Sequence, residues 1–215
     1  EGQLPMLMAS GDTGSGKTSA LGKLYEMMGM DGAPGSAQDT KFALIRQLSS
    51  TTNIPTWLDE YKPSDMSSYQ KDQMQDLLRK ATRGGDEARG NADQSVTTYR
   101  IISPVVLSGE QELQGAAEER RAIRTQFRKA VTAEGTETAR AWAKLTGGSY
   151  EDAQGVHYCE GYDAHEHAKA IHQYVLNLDK DEAHELWQES RRHIHSLLSD
   201  EGIAGVGDLE QQALQ

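Results

Sequence analysis

The eight residues Gly11-Asp12-Thr13-Gly14-Ser15-Gly16-Lys17-Thr18 fill every fixed position of the pattern GxxxxGK(S/T), and they constrain the fold of this chain more than any other stretch. A loop of this kind has to join the carboxyl end of a buried strand to the amino end of a helix. The preceding run Leu4-Pro5-Met6-Leu7-Met8-Ala9 is short and apolar, as a buried strand should be, and Ser19 to Met28 reads as a helix. Gly11, Gly14 and Gly16 admit a curl in which successive N–H groups face inward, and a helix starting near Gly16 adds its positive end. An anion is the occupant such a loop suits. Lys17 would reach the β- and γ-phosphates of a nucleoside triphosphate as a point charge, and the Thr18 hydroxyl is placed to ligate the Mg²⁺ that bridges them. The phosphate-cradling set is therefore Gly11, Asp12, Thr13, Gly14, Ser15, Gly16, Lys17 and Thr18.

A second run, Asn53-Ile54-Pro55-Thr56-Trp57-Leu58-Asp59-Glu60, is a short strand candidate ending in two carboxylates. Asp59 is expected to hold Mg²⁺ from behind its waters, and Glu60 to polarise a water for in-line attack on the γ-phosphate. A kinase acting on a nucleotide or small molecule needs no glutamate there, because its second substrate is the nucleophile. A third strand candidate spans Thr97 to Leu107, with Pro104 marking a start or a bulge. Ser108 and Glu110 would then emerge at the same sheet edge, where either could sense the γ-phosphate, orient water, or lie in an ordinary turn.

The densest basic stretch is Glu118 to Lys129. An arginine there can reach transition-state charge, often from a neighbouring subunit, and a row of guanidinium groups can follow a nucleic-acid backbone. The ordinary alternative is a charged helix in which Glu118 and Glu119 pair with arginines three and four positions on. Arg120 and Arg121 are the candidate fingers, followed by Arg83 and Arg89 in the polar stretch Thr82 to Ser95, which reads as a long glycine-containing loop.

The order of these parts resembles the ATPase core of the superfamily-3-like, primase-associated helicases of viruses, plasmids and integrated mobile elements. The resemblance rests on Gly11 to Thr18, Trp57-Leu58-Asp59-Glu60-Tyr61-Lys62-Pro63, Arg89-Gly90, Ser103 to Glu110 and Glu119-Arg120, and covers about residues 4 to 130. It implies ATP hydrolysis in a homo-oligomeric ring, translocation on single-stranded DNA, and an arginine, Arg120 or Arg121, acting across subunits. One departure is the lack of an asparagine or threonine directly after the third strand, where many helicases place a phosphate sensor. A different class of reading is a nucleotide-gated DNA-binding or loading module that turns over slowly.

The expected fold class is α/β, a P-loop core of mostly parallel sheet with flanking helices over residues 1–148, followed by a C-terminal helical part over 149–215. With no initiator methionine and a first strand starting near residue 4, the sequence reads as a piece of a longer protein. A net charge of −11 disfavours unspecific attraction to DNA, so any nucleic-acid contact has to be local, and the acidic excess also suits a salt-adapted cytoplasm. One cysteine, Cys159, excludes an intrachain disulfide, and no apolar run approaches the ~20 residues of a membrane span. These features point to a cytoplasmic setting. Between the motifs, Gln38 to Ser50 and Tyr61 to Ala81 have helical periodicity, the latter starting at Lys62-Pro63-Ser64-Asp65. Seven histidines lie in the last third, in spacings that match no zinc pattern. Ala168, Ile171, Val175 and Leu178 form a stripe expected to pack on the core; Leu186, Ile194, Leu197 and Leu198 suggest another, ended by Gly202, and residues 205–215 a frayed tail.

Overall fold

Short apolar runs alternating with amphipathic helices produce, in the computed structural model, a parallel five-stranded sheet with flanking helices. Residues 5–52, 54–91, 93–129 and 135–200 are described. Leu4, Asn53, Gly202 and the tail lie outside them, as do the side chains of Ile194, Leu197 and Leu198. In chain order the elements begin with β1 (Met6–Gly11), α1 (Lys17–Met27), β2 (Gly35–Ser36), α2 (Lys41–Leu48), β3 (Thr56–Tyr61) and α3 (Ser68–Arg83). A hairpin of β4 (Gly85–Gly90) and β5 (Val96–Ile101) follows, then β6 (Val105–Gly109), the single turn α4 (Ala116–Glu119) and β7 (Ala122–Phe127). The chain continues through α5 (Glu137–Thr146), β8 (Gly148–Asp152), β9 (Gly155–Cys159), α6 (Ala164–Leu176) and α7 (Lys180–Asp200).

The sheet order is β2-β3-β6-β1-β7, every pair parallel. All five strands therefore end at one edge. Met6, Met8, Leu58, Tyr61, Val105, Leu107 and Ala122 on one sheet face share a core with Leu44, Ile45 and Leu48 of α2 and Met74, Leu77, Leu78 and Ala81 of α3. Each buried Met, Leu, Ile or Val among them contributes about 1.5–3 kcal/mol. Thr40 caps α2 by accepting from the Ala43 amide, and Ser67 with Gln70 forms a reciprocal capping box on α3.

The chain divides into two compact units, one of Glu1–Thr18 and Ala33–Val131, the other of Ser19–Gly32 and Thr132–Glu210. The unit holding the sheet thus ends before α5, which groups with the C-terminal elements, and α1 runs from the first unit into the second. In the second unit, β8 and β9 form an antiparallel hairpin in which Tyr150 stacks on His157 at 4.9 Å, and α6 is capped by Asp163.

Four sequence expectations are corrected. Thr82 to Ser95 is not a loop. Gly84, at φ 73°, stops α3, and the chain returns as the β4–β5 hairpin, held by Lys80 to Glu87 at 2.7 Å and by Arg89 over the Phe42 ring at 3.7 Å. The third strand is two strands in different sheets, and Pro104 lies between them, where its missing N–H costs no ladder bond. Pro63 begins a 3₁₀ turn rather than the long helix, because Met66 is extended (ψ 141°) and Ser67 caps a fresh start. Ile171 and Val175 of α6 are exposed, at 42% and 48%, so of that stripe Ala168 alone is buried.

Candidate functional site

The parallel arrangement delivers four chain segments to the carboxyl edge of the sheet: Gly11–Thr18, Asp59–Lys62, Ser108–Glu112 and Gln126–Lys129. Ligands of open α/β sheets bind at such an edge. The first of these segments runs from β1 into α1 as the sequence requires. Gly11 has φ 152°, and a Cβ there would run into the Phe127 carbonyl oxygen, so only glycine lets β1 turn beside β7. Lys17 is 8% exposed and folds over its own loop, its Nζ donating to the carbonyls of Gly11 at 2.5 Å and Asp12 at 3.0 Å. Ser15 is fully buried, and its Oγ has no hydrogen-bond partner among the described residues. The Thr13 hydroxyl donates to Glu110.

β1 and β3 are not neighbours, because β6 lies between them. Thr18 nevertheless meets Asp59, its Oγ1 donating to Oδ2 at 3.1 Å across 41 positions of sequence. The other Asp59 oxygen accepts from Ser108 Oγ at 2.6 Å and from the Glu60 amide at 2.8 Å. Ser108 in turn accepts from the Trp57 indole N–H at 2.7 Å. It is therefore a buried support of Asp59 rather than a group open to a ligand. A bulge after Leu58 resets the strand's alternation, so that Tyr61 returns to the core and Glu60 is left at the edge with φ 63°. A glutamate in the left-handed region costs on the order of 1 kcal/mol, and such strain concentrates at functional positions. Glu60 is held by Ser36 Oγ at 3.1 Å and, through its carbonyl, by Gln38 Nε2 at 3.3 Å.

Glu110 accepts from Thr13 and pairs with Lys62 Nζ at 3.5 Å. Those two contacts, Thr13 first, hold its carboxyl below the usual glutamate range. A pocket of about 210 Å³ opens beside the loop, lined by Ser10, Gly11, Asp12, Glu110, Phe127 and Arg128 among others. Arg128 and Lys129 reach this edge because β7 pairs with β1 in the register Met6 with Ala122 and Gly11 with Phe127.

The same register puts Arg120 and Arg121 at the opposite edge. Five residues of strand, ~3.3 Å each, separate that end of β7 from the loop. Neither arginine approaches Lys17 or Asp59 of its own chain. The stretch 118–129 is not a charged helix either; it is α4 followed by β7, in which Arg124 faces Glu112 and Glu119, each at 3.9 Å. Arg120 is exposed. Arg121 is half-buried near Arg83, Glu118 and Arg79, and burial is the main reason its guanidinium sits below the usual arginine range. Arg83 closes α3 and Arg89 lies on β4.

The structure brings together the loop, Thr18, Asp59 and, at the strand bulge, Glu60. Sequence reasoning missed Ser36, which only the β2–β3 pairing reveals, and the dependence of Ser108 on Trp57. Arg128 and Lys129 were legible had the stretch been read as a strand of six residues. Among the described residues no group of three or more His, Cys, Asp or Glu could hold a metal by itself. His165 pairs instead with Asp31 at 2.5 Å, and His157 with Asp152 at 2.8 Å. Thr18 and Asp59 do suit Mg²⁺ shared with a ligand: a hydroxyl that holds the ion can give its proton to a carboxylate oxygen 3.1 Å away, which in turn accepts from the ion's waters. No helix among the described residues is long and apolar enough to cross a membrane. No family model matches this chain, and no curated protein matches it.

Proposed function

We propose that the protein is a magnesium-dependent P-loop ATPase and that it serves as the motor of a DNA-replication helicase or primase-helicase. The observation that carries this reading is the meeting of Thr18 and Asp59 at 3.1 Å beside a glycine loop on which Lys17 folds back. The loop amides and Lys17 would hold the phosphates of ATP; Lys17 exchanges its two carbonyl contacts for charged phosphate oxygens. Bound Mg²⁺ would neutralise developing charge on the phosphates, with Thr18 and Asp59 as its protein partners. Glu60 is the base that orients and deprotonates water. The Ser15 hydroxyl, without a partner among the described residues, adds a polar atom of the loop that a bound ligand would satisfy.

The position of Arg120 and Arg121, far from their own loop, supports a role on a neighbouring subunit's nucleotide, which is what a ring provides. Glu60 tied to Ser36 favours a second reading, a nucleotide-gated module whose hydrolysis stays slow until DNA or a partner frees the glutamate. Steady-state ATP hydrolysis, measured with and without single-stranded DNA over a range of protein concentration, separates these. The motor reading expects turnover that rises with concentration and with DNA and is lost in Arg121→Ala or Arg120→Ala. The gated module expects tight ATP binding with negligible turnover. Turnover that appears only with a small phosphate acceptor would replace both with a kinase.

A further inference from the structure

We propose that Trp57 and Ser108 are positioning residues that fix the metal-facing oxygen of Asp59, and thereby set how strongly Mg²⁺ enhances nucleotide binding. The inference rests on the reading of the loop as a nucleotide site. Trp57, just before the bulge of β3, and Asp59, within it, both reach Ser108 on the neighbouring strand β6. The indole N–H is a donor only and gives its proton to Ser108 Oγ at 2.7 Å. That occupies an acceptor site of the hydroxyl and directs its single proton at Asp59 Oδ1, 2.6 Å away, the short separation expected of a hydroxyl on a carboxylate.

Ser108 is 0% exposed and Trp57 5%, so bulk water does not stand in for either bond. Oδ1 also takes the Glu60 amide at 2.8 Å. With Oδ1 committed twice, the carboxylate is locked about its χ2 angle and Oδ2 faces Thr18. The consequence is a division of labour in which Ser108, at a position suited to phosphate sensing, is spent on Asp59, and Trp57 acts through it. Partners one step removed from a metal are worth about 10–100-fold in metal affinity.

The test is equilibrium binding of ATP in excess EDTA and in excess Mg²⁺, for the parent, Trp57→Phe, Ser108→Ala and the double variant, with thermal melting of each. The expected result is affinity in EDTA within twofold of the parent throughout, and a Mg²⁺ enhancement reduced about tenfold in Ser108→Ala and severalfold in Trp57→Phe. The double variant should be no worse than Ser108→Ala in Mg²⁺ dependence, although its melting losses add, because the relay runs from Trp57 to Asp59 through Ser108. If Trp57→Phe does not fold, Ser108→Ala against the parent decides. A Mg²⁺ enhancement unchanged in Ser108→Ala, equal losses in EDTA and Mg²⁺, or additive losses of the enhancement would overturn the relay while leaving the nucleotide site standing. A parent that binds no ATP under either condition would remove the nucleotide site and the relay together.

Discussion

The two units of the chain solve different problems with similar amounts of secondary structure. The sheet unit contains the whole core cluster, and its polar side chains converge on one edge through bonds spanning 41 to 97 positions of sequence, such as Thr18 to Asp59 and Thr13 to Glu110. Among the described residues the second unit buries little beyond Leu21, Tyr25, Ala143, Ala164 and Ala168, and leaves Tyr158, Tyr174, Leu176 and Trp187 exposed. Many of its polar pairs are local, such as Asp152 with His157, Tyr162 with His167 and Arg140 with Asp152, while His165 to Asp31 and Lys23 to the Tyr162 carbonyl tie its two chain segments together. In the sheet unit a buried core holds the strands that carry these bonds in register. The convergence of polar side chains on one edge is a feature of the first unit, while the second leaves large apolar side chains exposed.

This contrast can be broken first by truncation. Leu107→Ala, at a fully buried position of β6, should cost about 3 kcal/mol, whereas Ile171→Ala on α6 should change stability by no more than about 0.5 kcal/mol. Denaturant melts of the two variants check it, and comparable losses would mean that the second unit has a core of its own. Next in size is Glu60→Gln, expected to lower ATP turnover roughly 100-fold or more while preserving binding, as removal of a general base does. Equal loss of binding and turnover would make Glu60 a structural residue. Ser36→Ala frees the Glu60 carboxylate from its 3.1 Å contact and should raise turnover without DNA by up to roughly fivefold, the worth of one ~1 kcal/mol hydrogen bond.

The smallest effects are those of pH, and they run in opposite directions in the two units. Glu110, held below its ordinary 4.5 first by Thr13 and then by Lys62, stabilises the folded loop above that value and loses its contribution as pH falls through its folded value. His165, raised above its ordinary 6.5 chiefly by Asp31, contributes fully below 6.5 and loses that contribution as pH rises through its folded value. Chemical-shift titrations of the two side chains should show the opposed displacements. Both groups are exposed, so salt should weaken both.

Much of the first unit was legible because its signals are local. The loop pattern, the apolar run before it and the carboxylate pair after Trp57 each sit within eight residues, and the structure sets them on one sheet edge. The β4–β5 hairpin was not legible, since Glu87 and Arg89 look like unpaired polar residues until Glu87 is known to meet Lys80 and Lys41, and Arg89 the Phe42 ring. The β7 strand was hidden in the same way. Arg124, Thr125 and Gln126 alternate weakly, and the charges around them suggest a helix, yet pairing along β1 decides the matter. The exposure of Ile171 and Val175 is the reverse case, a periodic stripe whose periodicity says nothing about what covers it.

The most direct test of the central claim is equilibrium binding of ATP with Mg²⁺ to the parent and to Lys17→Ala. The account predicts saturable binding by the parent that is lost in Lys17→Ala while the variant's melting curve is unchanged. Binding that survives Lys17→Ala, or no binding by the folded parent, would contradict it.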